Sequence, residues 1–110
     1  MAHKDAERIV ENLLSNLATK LVHENMTVGS EIALSNAVGW GYDSYNNLRA
    51  WFEGYGKIKF SVEIILSGDQ LPDKSPIGDT VKAQVEGNLV HENENWKINF
   101  YQVSKAKLVD

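Results

Sequence analysis

An α+β domain, with N-terminal helices packed on an antiparallel sheet of three or four strands, is the fold this chain predicts, and three observations carry it. Residues 5–24 place Ile9, Val10, Leu13, Leu14, Leu17, Ala18, Leu21 and Val22 at steps of three and four, which gathers them on one face of a helix. Residues 57–66 and 80–90 alternate apolar and polar side chains, the period of half-buried strands. The helical signal precedes the strand signals, so the helices form one layer and the later strands a meander in another.

Each element has its own local warrant. Asp5 and Glu7 sit in the first turn of the long helix, where carboxylates complement the helix dipole, and Asn25 follows its last periodic residue as a stop. Between Met26 and Gly41 a short helix capped by Ser30 carries Ile32, Ala33, Ala37 and Val38 and ends at Gly39; a strand over residues 31–34 competes with it. Asp43 or Ser44 then caps a further helix with Tyr45, Leu48, Trp51, Phe52 and Tyr55 on one face, closed by Gly54 and Gly56. Residues 67–79 hold Pro72, Pro76, Gly68 and Gly78 and form a connecting loop. Gly87 marks a bulge or bend inside the second strand. His91 to Asn95 makes a turn, and Trp96, Ile98 and Phe100 begin a third strand whose phase slips near Tyr101 and Val103, as a bulge would cause. The expected core joins Leu13, Leu14, Leu17, Leu21, Phe60, Val62, Val85 and Ile98.

Length and composition bound the function. The 110 residues, 43% hydrophobic and 24% charged, suit one domain over 1–110 that buries a core. Eleven Lys and Arg against fifteen Asp and Glu give a net charge of −4, which argues against a general nucleic-acid surface. Without cysteine there is no disulfide framework, thiolate nucleophile or Cys-ligated zinc. No signal peptide and no membrane-spanning apolar run stands out, so the expected location is cytoplasmic. The Asn25-Met26-Thr27 sequon is too short a match to count.

Few residues carry chemistry. His3, His23 and His91 lack the i, i+4 spacing that sets two imidazoles on one metal, and no metal or cofactor is expected. The aspartates of the 68–79 loop lack the ligand alternation of a calcium loop. No phosphate-cradling Gly-rich loop and no nucleophile elbow is present. The aromatic segment of Trp40, Tyr42, Tyr45 and Trp51 reads in two ways. The rings pack as core, or they line an apolar pocket between helices and sheet that takes a small apolar ligand oriented by the tyrosine hydroxyls. Lys57, Lys59, Lys82, Lys97 and Lys105, interspersed with Glu63 and Glu86, give the outer sheet face a charged character. Ile65, Val90, Tyr101 and Val103 share that outward parity and offer an apolar part for a homodimer contact.

Residues 45–62, Tyr-Asn-Asn-Leu-Arg-Ala-Trp-Phe-Glu-Gly-Tyr-Gly-Lys-Ile-Lys-Phe-Ser-Val, resemble the Ile-Arg-x-Phe-Phe helix and following strand of the nuclear transport factor two-like group of cystatin-like folds. Val85-Glu86-Gly87-Asn88-Leu89 and Asn95-Trp96-Lys97-Ile98-Asn99-Phe100 are similar to the group's closing strands. The resemblance implies a strongly bent sheet around the first helix, a cavity between the layers and a dimer through the open sheet face. Isomerases of that group pair a buried Asp base with Tyr and Asp donors, and no inward carboxylate here matches them. The expectation is therefore a small-ligand-binding, non-enzymatic domain, with a small acidic protein-binding module (inhibitor or assembly factor) second and an isomerase or hydrolase third.

Overall fold

A computed structural model describes residues 2–69 and 79–109. Three helices, α1 (Ala2–Glu11), α2 (Leu14–Glu24) and α3 (Met26–Ile32), precede four strands, β1 (Val38–Phe52), β2 (Lys57–Asp69), β3 (Asp79–Glu92) and β4 (Asn95–Val109). The strands form one antiparallel sheet in the order β1-β2-β3-β4, and the α+β order of layers is the one the periodicity predicts. The molecule is elongated, 51 × 24 × 24 Å, because thirteen- to fifteen-residue strands run much further than the short helices that cover them.

The apolar stripe of residues 5–24 is carried by two helices, where one was expected. The chain tightens at Asn12 and Leu13, with the Leu13 N–H donating to the Val10 carbonyl at 2.8 Å. The stripe survives the break: Ala6 and Val10 on α1, and Leu14, Leu17, Ala18 and Leu21 on α2, are all fully buried. The short helix after Asn25 starts earlier than the Ser30 cap predicts. Asn25 ends α2 in extended geometry, and its side-chain oxygen accepts the Val28 N–H at 3.0 Å, so one residue closes one helix and opens the next.

Residues 44–52 are strand, not helix. Register irregularities fall between Tyr42 and Ser44 and between Asn46 and Arg49, and Asn47 adopts φ 54°. Each inserts an extra residue, so the residues paired with or adjoining the helix-side positions of β2 are Tyr42, Tyr45, Leu48, Ala50 and Phe52. Two consecutive steps of three in a bulged strand reproduce the helical spacing. Gly54 and Gly56, both at positive φ, turn β1 into β2.

β2 and β3 pair without interruption from Lys57↔Val90 to Gly68↔Asp79, and β3 pairs β4 from Thr80↔Val109 to Glu92↔Asn95. The β3–β4 turn is shorter than expected. Asn93 and Glu94, at φ 49° and 67°, form a two-residue connection of the primed type, and His91 lies in β3 opposite Trp96. Irregularities opposite Gln84/Val85 and Asn88/Leu89 account for the slipped phase of β4. They turn Tyr101 and Val103 to the helix side, where both pack on the core, so of the four apolar residues expected outside only Ile65 and Val90 lie there.

Leu14, Leu17, Leu21, Phe60, Val62 and Val85 join the core as expected, whereas Leu13 and Ile98 are half-buried against it. Among the described residues no polar or charged side chain is buried. No helix among them is long and apolar enough to cross a membrane. Most of the 68–79 loop lies outside the described residues, as does the side chain of His3.

Candidate functional site

The four aromatic residues singled out in the sequence all lie on β1 but do not share a face. Trp51 pairs with Lys59 on the outer side of the sheet. Trp40, Tyr42 and Tyr45 face the helices. Trp40 lies over Gly68, so close that a Cβ there would sit 2.5 Å from the indole, and its buried Nε1 donor has no partner among the described residues. The Tyr45 hydroxyl donates to the Glu11 carboxylate of α1. That bond, followed by burial and the Glu11 charge, raises the Tyr45 pKa. Burial first, then Glu11 and Asp43, raises that of Tyr42. The helix-side aromatics thus fasten α1 to the edge strand, and Trp51 stands apart from them.

The opposite, uncovered face of the sheet is where charge collects. Its rows follow from the pairing register. Trp51, Lys59, Asn88 and Phe100 lie side by side across the four strands, then Arg49, Ser61, Glu86 and Gln102. Beyond them come Asn46, Glu63, Gln84 and Lys105, then Ser44, Ile65, Lys82 and Lys107. Lys57 and Lys97 flank Val90 at the far end. Seven of the eleven cationic side chains (Arg49, Lys57, Lys59, Lys82, Lys97, Lys105 and Lys107) therefore share this face with five carboxylates, Glu53, Glu63, Asp69, Glu86 and Glu92. The helix layer shows the reverse, with Asp5, Glu7, Glu11, Glu24 and Glu31 against Lys4, Arg8 and Lys20. A chain with net charge −4 carries an electropositive face.

Clefts open on it among the described residues. One, of about 400 Å³, is bordered by Lys82, Lys105, Lys107, Gln84, Ser104 and Glu63. Another, of about 270 Å³, is bordered by Lys59, Asn88, Phe100, Gln102, Glu86 and Glu53. At the first, Lys82 and Lys107 are direct cross-strand partners, a like-charge pairing that disfavours the sheet. Glu63 is held from the other side by the Asn46 amide at 3.3 Å. The only ion pairs among the described residues are Lys20–Glu24 and Lys97–Glu92.

The alternation in the sequence points outward for five of these lysines. It misses Arg49, hidden by the helical spacing of β1, and stops short of Lys107, which shares the parity of Lys105 two residues before it. The outward-facing site offers ammonium groups, amides, the exposed ring of Phe100 and the half-buried ring of Trp51, a set suited to holding an anion. Among the described residues no three His, Asp or Glu side chains gather in a metal-binding group. His91 is exposed and rests on Trp96, ring centroids 5.0 Å apart, and His23 is exposed at the end of α2. No protein-family model, curated protein or solved structure matches the chain.

Proposed function

We propose that the protein is a non-enzymatic binding module of the nuclear transport factor two-like kind whose working surface is the open face of the sheet, and that this face takes an anionic ligand. The observation that carries the reading is the partition of charge: seven cations and five carboxylates on one sheet face of a chain whose net charge is −4. Charge gathered on one face focuses the field there and attracts the opposite sign even when the whole molecule repels it. A second copy laid face to face would oppose two electropositive surfaces, so an anionic ligand fits this face better than a homodimer does.

Chromatography on a sulfonate matrix at neutral pH tests the reading. Retention at low salt is expected despite a pI near 5.3, with earlier elution as salt screens the face. Charge reversal on the face, Arg49→Glu with Lys59→Glu, should abolish retention, whereas Lys20→Glu on α2 should leave it. Unretained wild-type protein, or equal loss from the helix variant, refutes the proposal.

The helix-side aromatics support a second reading, a small apolar ligand beside Trp40, Tyr42 and Tyr45. The unpartnered Trp40 Nε1 donor favours it, since a buried N–H lacking an acceptor carries a desolvation cost that a ligand acceptor would relieve. An apolar probe that shifts Trp40 emission, and no longer does so in a Tyr45→Phe variant, would favour this second reading.

A further inference from the structure

Resting on the reading of the open face as the binding surface, we infer that the larger cleft, between β3 and the last third of β4, is a site for the phosphate group of a small phosphorylated ligand. Three ammonium groups border it, from Lys82, Lys105 and Lys107, with one carboxylate, Glu63. The excess is two positive charges, which matches a phosphate monoester carrying about −1.5 to −2 at neutral pH. Their arrangement also suits this group. Lysines act as point charges, and three of them on two strands can meet a tetrahedral anion from several sides, whereas a planar carboxylate is better matched by the fork of an arginine. The cleft lacks an arginine on its border.

Two further observations point the same way. Lys82 and Lys107 face each other across adjacent strands, and among the described residues neither makes an ion pair, so the face carries a repulsion that an anion relieves. The one nearby carboxylate is engaged away from the lysines, with Glu63 Oε1 accepting from Asn46 Nδ2. Neutral donors stand beside the charges. Gln84 spends one amide hydrogen on Ser61 Oγ at 3.2 Å and keeps a second. The Ser104 hydroxyl makes only a 3.4 Å bond to the Gln84 carbonyl. A volume of about 400 Å³ exceeds what a bare phosphate fills and falls in the range of small-molecule sites, leaving room for an organic body of modest size.

Calorimetric titration with inorganic pyrophosphate tests the assignment, with citrate titrated in parallel and Lys20→Gln as a control. Saturable binding at one site is expected. It should weaken by at least about tenfold in the Lys82→Gln/Lys107→Gln variant, which loses two charge-assisted contacts, and stay unchanged in Lys20→Gln. The double variant should fold at least as stably as the wild type, since it removes a repulsive pair, and pyrophosphate should raise the melting temperature of the wild type alone. No saturable pyrophosphate binding, with sulfonate retention intact, overturns this inference and leaves the reading of the face standing; loss of both overturns both. Citrate binding as tightly as pyrophosphate overturns the choice of phosphate. Equal weakening by Lys20→Gln overturns the site, because the attraction is then diffuse.

Discussion

Gly87→Ala probes the tightest approach in the sheet. Gly87 lies mid-strand in β3, between Phe60 of β2 and Tyr101 of β4. A Cβ at this position would come 2.2 Å from the Phe100 carbonyl oxygen, 2.9 Å from the Tyr101 Cα and 3.0 Å from the Phe60 ring. The ring of Phe60 already occupies the hole above the glycine, and the two closer atoms are backbone, which moves only if β4 is displaced. Overpacking of this kind costs up to about 3 kcal/mol. Restricting the unfolded chain returns about 0.4–1 kcal/mol, so the net loss is about 2 kcal/mol. With an unfolding entropy of about 2.1 cal/mol/K per residue, that lowers the melting temperature by about 9 °C. Urea and thermal melts followed by circular dichroism measure it. Gly41→Ala is the control, since nothing lies within 4 Å of its Cβ position; it should change stability by no more than about 1 kcal/mol in either direction. Trimming Phe60 to Leu in the Gly87→Ala background should not restore stability, because the backbone contacts remain. A Gly87→Ala protein as stable as the wild type would refute the close approach of β4.

Other expectations follow from particular contacts. Asn25→Ala removes the acceptor for the Val28 N–H and should cost about 0.5–2 kcal/mol in a urea melt, with Asn25→Asp or Asn25→Ser recovering most of it. Trp51→Ala, on the outer face opposite Lys59, should cost about 1 kcal/mol or less; a loss of about 3–5 kcal/mol would instead place the ring in the core. Tyr42, Tyr45 and Tyr101 all have raised pKa values, so their neutral forms are favoured by folding. The stability they supply is fully present below the ordinary phenol value of about 10 and is lost as pH rises through the higher folded values. Phenolate absorbance should therefore appear at higher pH in the folded protein than in urea, and Tyr45→Phe should shrink the alkaline loss of stability.

The parts of the fold legible in the sequence are those where period and geometry coincide. β2 and β3 pair in uninterrupted register, so every second residue faces the core and the alternation can be read directly. β1 is misleading for a physical reason: its bulges set Tyr42, Tyr45 and Leu48 three residues apart on one side, and aromatic residues at that step imitate a helix. The break at Asn12 and Leu13 is equally hidden, because the turn keeps the stripe in phase. The positive face is half legible. Outward parity identifies Lys57, Lys59, Lys82, Lys97 and Lys105, but the meeting of Lys82 with Lys105 and Lys107 depends on the irregular register between β3 and β4, which no single strand reveals. Trp40, Tyr42, Tyr45 and Trp51 look like one cluster only while β1 is read as loop and helix.

The helix layer is tied to both edges of the sheet. Glu11 of α1 holds Tyr45 on β1. At the other edge Glu24 accepts from the Tyr101 hydroxyl at 3.2 Å, and Glu31 accepts the Leu108 N–H of β4 at 2.9 Å. The two outermost strands are thus strung together across the back by the first thirty-odd residues. The basic rows on the front thus lie on a sheet whose two outermost strands are both held from behind by helix carboxylates. Glu31 also occupies an amide on the open rim of β4, where another chain would otherwise add a strand. One carboxylate, far from the charged front, both anchors β4 to the helix layer and closes part of the rim to a neighbour.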